Sequence, residues 1–186
     1  MNQDNSLKNK NTLRLKMRQV RRELNTLERS EAAQRVLYQL RMSHYFQSAQ
    51  TIGIYYPLKD ELDVKEVVKY CWEVGKKVYL PVYKNNTITF YLYSSETKLK
   101  KTLKGIYEPD PINGFKAQSL DVLCVPSVAV DNQGFRLGYG AGAYDRFLAK
   151  DKAQVGCLVY LAYACNKVLS CYPEAHDIKA DHIVLG

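Results

Sequence analysis

The stretch that most constrains this chain of 186 residues is glycine-rich and runs GFRLGYGAGAYDRFL, from Gly134 to Leu148. Four of the nine residues from Gly134 to Gly142 are glycines, which adopt positive φ angles without a steric penalty and leave backbone amides accessible. Arg136 and Arg146 flank the loop, an apolar segment precedes it, and a helix is predicted to follow from Gly142 to Lys150. A strand, a glycine loop and a helix in this order place backbone N–H groups at a helix start, where anions bind.

The loop differs from two common phosphate-binding motifs. The P-loop pattern GxxxxGK[ST] is absent, because its lysine is missing. Gly138, Gly140 and Ala143 satisfy the relaxed GxGxxG/A spacing, but an apolar run around 160–164 stands where a dinucleotide-binding fold needs an acidic residue. A dinucleotide-binding fold is therefore disfavoured. A turn that only lets a strand approach a helix is the simpler alternative, and the charged side chains crowded into the loop argue against it.

Strands and helices alternate along the chain. Apolar spacing predicts a basic amphipathic helix from about Leu7 to Leu24 and a second helix ending near Met42. Later helices are predicted at 64–74 and 142–150, and strands at 51–56, 76–83, 87–93, 120–126, 155–164 and 182–185. The sequence thus predicts an α/β fold: an open, mostly parallel sheet with helices on both faces, Rossmann-like in its three layers, preceded by a basic N-terminal helical pair. We expect a single domain over residues 1–186, with helices 1–42 packed on the α/β core.

The net charge of +8 is concentrated in the first part of the chain. Residues 1–41 contain ten Lys and Arg residues but only four Asp and Glu residues. Such a basic segment favours either a nucleic-acid surface or one wall of a site for an anionic ligand, with a solvated helix face as the simplest alternative. No helix-turn-helix, zinc-finger or RNA-recognition signature accompanies it, so nucleic acid is disfavoured as a partner.

The five cysteines and the hydropathy pattern indicate a cytoplasmic protein. The cysteines are scattered and form no CxxC pair, so we expect buried free thiols. No apolar run reaches the roughly 18 residues that span a membrane. The polar start of the chain also lacks the apolar centre of a signal peptide.

An acidic cluster follows the first predicted strand. Asp60, Glu61 and Asp63 lie in the segment PLKDELD, between that strand and the next helix. Ligands of α/β sheets bind beyond the carboxyl ends of the strands, so a carboxylate here can face a substrate. We expect one of the three to cap the helix instead.

These segments together resemble the 5-formyltetrahydrofolate cyclo-ligase family over nearly the whole chain. The motifs that carry the resemblance are KxxLR (10–14), YYPLKDELD (55–63), LP (80–81), GIYEP (105–109), DVLCVPSVAVDNQGFRLGYGAGAYDR (121–146) and PEAHD (173–177). Each motif alone is weak, but their order and spacing are specific. The resemblance implies an enzyme that requires ATP and magnesium and closes 5-formyltetrahydrofolate to 5,10-methenyltetrahydrofolate, with release of ADP and phosphate.

The resemblance also implies roles for individual residues. Lys10 and Arg14 match positions that bind nucleotide phosphates. Glu61 matches the carboxylate that holds the folate, and Tyr56 is expected to line that pocket. The loop residues that are implied to contact ATP are Arg136, Leu137, Gly138, Tyr139, Gly140, Ala141, Gly142, Ala143 and Tyr144. The part of this loop from Tyr139 to Ala143 is also expected to lie near the folate.

The same resemblance implies a metal site and a catalytic group. Asp145 and Asp177 match two magnesium ligands, and Arg136, Tyr144 and Asp145 are expected to be catalytic. Some family members have a lysine in place of Ala141, and many have an aromatic residue in place of Ala143. Ala141 leaves more of the phosphate charge to Arg136, Lys10 and Arg14, and any stacking role of the aromatic residue at position 143 falls to Tyr139 or Tyr144.

Three expectations concern partners. The resemblance implies that ATP is a co-substrate and that magnesium is the cofactor. We also expect a monomer that acts on small molecules and binds neither nucleic acid nor a membrane. A nucleic-acid-binding protein that uses the basic N-terminal helices is one alternative, and a catalytically silent folate-binding relative is another. The lysine tract from Lys98 to Lys104 either meets a polyglutamate tail on the folate or is simply a solvated loop.

Overall fold

The computed structural model describes residues 3–103, 105–110 and 114–186, except for the side chains of residues 3–6. Its α-helices are α1 (Gln3–Glu23), α2 (Thr26–Met42), α3 (His44–Ser48), α4 (Lys65–Glu73) and α5 (Ala143–Asp151). Its strands are β1 (Thr51–Gly53), β2 (Lys77–Lys84), β3 (Thr87–Tyr93), β4 (Leu99–Lys101), β5 (Tyr107–Pro109), β6 (Leu120–Pro126), β7 (Ala129–Asp131), β8 (Arg136–Leu137), β9 (Val155–Ala162), β10 (Lys167–Val168) and β11 (His182–Leu185). Lys104 of the lysine tract lies outside the described residues.

Six strands form the central sheet in the order β11-β9-β6-β1-β2-β3. All neighbours in it are parallel except β2 and β3, which pair as an antiparallel hairpin. Asn85 and Asn86 make the turn of this hairpin with φ angles of 50° and 61°, a left-handed conformation that asparagine tolerates. Residues 120–126 form β6 as predicted, and β6 lies between β1 and β9. The mostly parallel sheet is therefore confirmed.

Helices cover both faces of this sheet. Along β6, Val122 and Cys124 belong to a core cluster shared with α2, α3 and α4. The alternate residues Leu123 and Val125 belong to a second cluster shared with α5. Successive side chains of a strand point to opposite faces, so the two clusters are the two sides of one sheet. This arrangement confirms the predicted three layers.

The two N-terminal helices have different neighbours. The side chain of Asn25 accepts a hydrogen bond from the Glu28 amide at 3.0 Å, and Glu28 accepts one from the Asn25 amide at 2.7 Å. This capping box begins α2, which packs on the central sheet. Helix α1 instead packs through Met17 on the small sheet β10-β7-β8. The basic face of α1 is thereby brought beside the glycine loop that follows β8.

Several elements differ from the sequence-based expectation. The first strand ends at Gly53 instead of Tyr56, because the chain leaves the sheet after the Ile54 amide has bonded to the Tyr79 carbonyl at 3.0 Å. Helix α3, the hairpin β4-β5 and the sheet β10-β7-β8 were not predicted. These elements are only two to five residues long, too short to show a periodicity.

The cysteines are free thiols, but one expectation about them was wrong. Cys71, Cys124 and Cys171 are buried, and burial raises the pKa of the Cys71 and Cys171 thiols to about 12. Cys157 is half-buried and Cys165 is exposed. Cys165 is exposed because β9 ends at Ala162 and a 3-10 turn follows it.

Within the described part of the chain, no helix combines the length and apolar character needed to cross a bilayer.

Asp131, at the end of β7, is expected to be a main determinant of stability near the glycine loop. Its side chain is 1% exposed and accepts hydrogen bonds from the amides of Gln133 and Phe135, each at 3.0 Å, and of Cys171 at 2.9 Å. We predict that Asp131→Ala lowers the free energy of unfolding by roughly 3 kcal/mol, because three backbone amides lose their buried, charged acceptor. Urea unfolding measures this free energy, and Glu73→Ala at an exposed position is the control. Equal free energies of unfolding for the two variants would contradict the stabilising role of Asp131.

Candidate active site

A cavity of about 330 Å³ opens where the strands of the central sheet meet the glycine loop. Pro126 ends β6 and Tyr55 follows β1, so both mark the carboxyl ends of parallel strands. The rest of the wall comes from the segment 56–61 after β1, the β2-β3 hairpin, residues 106–108 at β5, the glycine loop and the start of α5. This is the position at which α/β sheets bind ligands. A second cavity, of about 500 Å³ between β3 and α5, is lined by none of the predicted site residues.

The cavity brings most of the predicted site residues together. Those that line it are Tyr56, Glu61, Arg136, Gly138, Tyr139, Ala141, Gly142, Ala143, Tyr144 and Asp145. Lys10, Arg14, Leu137, Gly140 and Asp177 are not part of its lining. The cavity wall is therefore largely aromatic and apolar, with a few charged groups.

Glu61 is a buried carboxylate on the wall of this cavity. Its side chain accepts a hydrogen bond from the Leu58 amide at 2.8 Å, and the residue is 7% exposed. Burial raises the pKa of Glu61, against the opposing effects of the Leu58 amide, the Tyr139 hydroxyl and the charge of Arg21. Tyr163 donates a hydrogen bond to the Glu61 carbonyl at 3.0 Å and fixes the backbone here. Glu61 is thus a preorganised acceptor in a mostly apolar wall.

The glycine loop is held against helix α1. Arg14 donates from Nε to the Gly138 carbonyl at 2.9 Å. Gly140 has a φ of 99°, and a Cβ there would lie 3.6 Å from the Arg14 guanidinium. Gly142, with φ 62°, precedes α5, and no side chain caps that helix. The first amides of α5 are therefore free of a side-chain cap, which suits the binding of an anion.

Arg136 and Asp145 form a short ion pair at the loop. The Arg136 guanidinium donates to an Asp145 oxygen at 2.6 Å, and Arg136 is 8% exposed. Its central carbon lies 5.6 Å from the Tyr144 ring centre and 5.4 Å from that of Tyr160. Its Nε has no hydrogen-bond partner among the described residues. A buried guanidinium in this state retains a donor for a ligand.

Lys10 lies between two carboxylates of the PEAHD segment. Its ammonium is 2.9 Å from a Glu174 oxygen and 2.7 Å from an Asp177 oxygen. Ligand atoms of Glu174, His176 and Asp177 all lie within 4.8 Å of one another. Asp145 is not a member of this cluster, and its carboxylate is paired with Arg136. In this structure, therefore, the two predicted metal ligands contact different cations.

The sequence analysis missed three kinds of residue at the site. Arg21 is 2% exposed and donates to the Tyr139 hydroxyl at 2.8 Å, although it was indistinguishable by type from its neighbours Arg18 and Arg22. Its spacing from Lys10 would have identified it, since positions 10, 14, 17 and 21 lie on one helix face. Glu174 was part of the PEAHD motif, and the β5 residues at 107–108 were part of GIYEP, but neither was assigned to the site.

Comparison with known proteins gives a consistent result. The family model described as the 5-formyltetrahydrofolate cyclo-ligase family matches residues 6–186. The 5-formyltetrahydrofolate cyclo-ligase of Haemophilus influenzae is 31% identical over 179 residues, which cover 94% of this chain and 96% of that protein. The Escherichia coli K12 protein of the same name is 31% identical over 173 residues, covering 90% and 95% of the two chains. The structure of Aquifex aeolicus 5,10-methenyltetrahydrofolate synthetase superimposes with a TM-score of 0.81 at 30% identity, covering 95% of this chain and 89% of that one.

Proposed function

The chain belongs to the 5-formyltetrahydrofolate cyclo-ligase family, and from this premise we propose that the cavity beside the glycine loop is its active site. The enzyme is a ligase that converts 5-formyltetrahydrofolate to 5,10-methenyltetrahydrofolate with the use of ATP. One observation carries the proposal: the buried carboxylate of Glu61 and the glycine loop with Arg136 line the same cavity. A folate and a nucleotide bound to these two walls would meet between them.

The chemistry requires the formyl oxygen to leave, although a formamide oxygen is a poor leaving group. In the first step the formyl oxygen attacks the γ-phosphorus of ATP, so that a new oxygen–phosphorus bond forms and the bond to ADP breaks. The neighbouring folate nitrogen then attacks the formyl carbon and loses its proton, and phosphate departs with the original formyl oxygen. Phosphoryl transfer of this kind depends mainly on positioning and electrostatics, so no protein side chain need act as a nucleophile.

Glu61 is the group that we assign to the folate. The amino group and a ring N–H of a pterin are donors, and a carboxylate presents two acceptor oxygens to them. Because Glu61 is 7% exposed, these hydrogen bonds form with little competition from water. Tyr56 and the loop from Tyr139 to Ala143 supply the neighbouring wall.

The opposite wall is assigned to the nucleotide. We propose that Arg136, Lys10 and Arg14 neutralise its phosphates and that the amides from Leu137 to Tyr144 surround them. Arg136 has a donor without a partner, which is consistent with this role. Tyr139 and Tyr144 compensate for the aromatic side chain that is absent at Ala143.

The residues present fit a magnesium ion by their donor chemistry. Asp145 and Asp177 are carboxylates, the oxygen ligands that Mg²⁺ prefers, and each already balances a cationic side chain. We propose that these two residues hold the metal and that Glu174 lies beside it. When bound, the ion would supply positive charge to the phosphate oxygens. Arg136 and Asp145 then orient the transferred group from the protein side, with Tyr144 against the guanidinium.

We also propose a cytoplasmic monomer that binds no nucleic acid. The five cysteines are unpaired, as is usual in a reducing compartment. Lys10 and Arg14 are assigned to the phosphates of ATP, and Arg21 donates to the Tyr139 hydroxyl in the protein interior, so these three basic residues do not form an outer surface for nucleic acid. A catalytically silent relative is disfavoured because the charged residues assigned to both substrates are present.

The test is to mix the protein with 5-formyltetrahydrofolate and magnesium, with and without ATP, and to follow the absorbance of the conjugated methenyl product. We expect the absorbance to grow only when ATP is present. Folate binding without product would favour the silent relative. The absence of both folate binding and methenyl product would contradict the proposed function.

A further inference from the structure

Arg21 is a buried charge whose hydrogen-bond partner is neutral. It is 2% exposed and is among the largest side chains that are fully buried. Its guanidinium donates to the Tyr139 hydroxyl at 2.8 Å and lies 5.4 Å from the centre of the Tyr139 ring. A buried charge without compensation destabilises a fold strongly. A negatively charged group near Arg21 is therefore needed to explain why its guanidinium is buried.

The compensating charge is Glu61. Tyr139, whose hydroxyl accepts the hydrogen bond from Arg21, lines the main cavity together with Glu61, and this hydroxyl favours the ionised form of the Glu61 carboxylate. Arg21 and Glu61 also lie against the same closed crevice, together with Tyr55 and Tyr163. The three side chains form a relay, Arg21 to Tyr139 to Glu61, that joins helix α1, the glycine loop and the segment after β1.

The groups around Glu61 leave Arg21 as its source of positive charge. Tyr55 after β1, Tyr144 of α5 and Asp60 of its own turn also interact with Glu61 electrostatically. Asp60 adds negative charge, and the tyrosines are neutral. The Leu58 amide, the Tyr139 hydroxyl and Arg21 favour the ionised form of the Glu61 carboxylate, and of these three groups Arg21 carries the positive charge.

We infer that Arg21 is a positioning residue for folate recognition: through the Tyr139 hydroxyl and its own charge it holds Glu61 as an oriented carboxylate. This inference rests on the proposed function, in which Glu61 binds the pterin. The same helix face carries Lys10 and Arg14, which are assigned to ATP. Helix α1 therefore contributes to both substrate sites, and Arg21 is the part of it that acts on the folate.

The experiment compares Arg21→Met with Arg22→Met, a variant of the next residue on the same helix, whose side chain is 54% exposed. We expect Arg21→Met to raise the KM for 5-formyltetrahydrofolate roughly tenfold or more, since a charge-assisted hydrogen bond is lost. The kcat and the KM for ATP should each change less than about threefold, because Arg21 is assigned to the folate site only. The control should behave as the wild type. Arg21→Lys, which keeps the charge, should recover part of the loss.

The pH dependence of kcat/KM for folate distinguishes a loss of Glu61 positioning from a simple loss of packing in the Arg21 variants. Folate binding requires ionised Glu61, so kcat/KM for folate falls as the pH is lowered through the pKa of Glu61. Arg21 lowers the pKa of Glu61, so this acid limb should move to higher pH in Arg21→Met and stay near its wild-type position in Arg21→Lys. In a double-mutant cycle with Tyr139→Phe, the two losses should be less than additive. If Arg21→Met does not fold, Arg21→Gln takes its place with the same expectations.

A folded, neutral variant with wild-type KM for folate and an unmoved acid limb would overturn the inference. Glu61→Ala is measured in parallel, so that a failure of the inference about Arg21 can be distinguished from a failure of the proposed function. If Glu61→Ala weakens folate binding and the Arg21 variants do not, the relay is wrong and the proposed function stands. If the wild type makes no methenyl product, the proposed function itself is wrong.

Discussion

Replacing Asp145 with asparagine is expected to lower kcat by about 100-fold or more with little change in the fold, because it removes the carboxylate that we propose holds magnesium and orients Arg136 toward the transferred phosphoryl group. The Asp145 side chain is 27% exposed and pairs with Arg136 at 2.6 Å. Asparagine preserves the shape but neither balances Arg136 nor binds a divalent cation strongly. Steady-state kinetics and thermal unfolding of the same samples test both parts of the prediction.

Asp151→Asn, at the other end of the same helix, is the matched control for Asp145→Asn and should retain full turnover. A magnesium titration distinguishes the two roles assigned to Asp145. If Asp145 binds the metal, the variant should need far more magnesium for half-maximal rate, whereas a residue that only orients Arg136 would leave that requirement unchanged. Near-normal turnover of Asp145→Asn would remove Asp145 from the catalytic group altogether.

Glu61→Ala is expected to have the largest effect on folate binding. Truncating one partner of a buried, charged hydrogen-bonded pair costs about 2–5 kcal/mol, which corresponds to a loss of affinity between roughly 30-fold and several thousand-fold. The KM for ATP should stay close to the wild-type value, because the nucleotide is assigned to the opposite wall of the cavity. Isothermal titration with 5-formyltetrahydrofolate measures the first quantity directly.

Asp60→Ala is the control for Glu61→Ala, because Asp60 is the adjacent acidic residue and pairs only weakly with Arg22, at 3.5 Å. It should bind folate nearly as the wild type does. Glu61→Gln should also bind poorly, since the amide presents a donor to a pterin that offers donors. An unchanged folate affinity in Glu61→Ala would remove Glu61 from the site.

The layers of the fold were predictable from the sequence because their signals are long. The apolar run 122–126 indicated a buried strand, and β6 is the strand that lies between β1 and β9. The start of α2 also has a recognisable capping signal, because Asn25 stands three residues before Glu28. The short strands of the sheet β10-β7-β8 gave no comparable signal, and their formation depends on contacts such as those of Asp131 with Cys171.

The site was predictable in outline, whereas its connections were not. The glycine loop and Glu61 were assigned from their motifs, and the cavity brings them together across about 80 residues of sequence. The ion pairs of Lys10 with Glu174 and Asp177 join opposite ends of the chain, and no local pattern predicts such a contact. The burial of Arg21 left one trace in the sequence, its position on the helix face of Lys10 and Arg14, because burial itself depends on the tertiary packing of α1.

The most direct test of the central claim, that the formyl oxygen is phosphorylated at this site, is to follow the fate of that oxygen. The enzyme is supplied with ATP, magnesium and 5-formyltetrahydrofolate whose formyl oxygen is a heavy isotope, and the released phosphate is analysed by mass spectrometry. The account predicts one heavy oxygen in each phosphate molecule released. Unlabelled phosphate, with the heavy oxygen recovered in water, would contradict it.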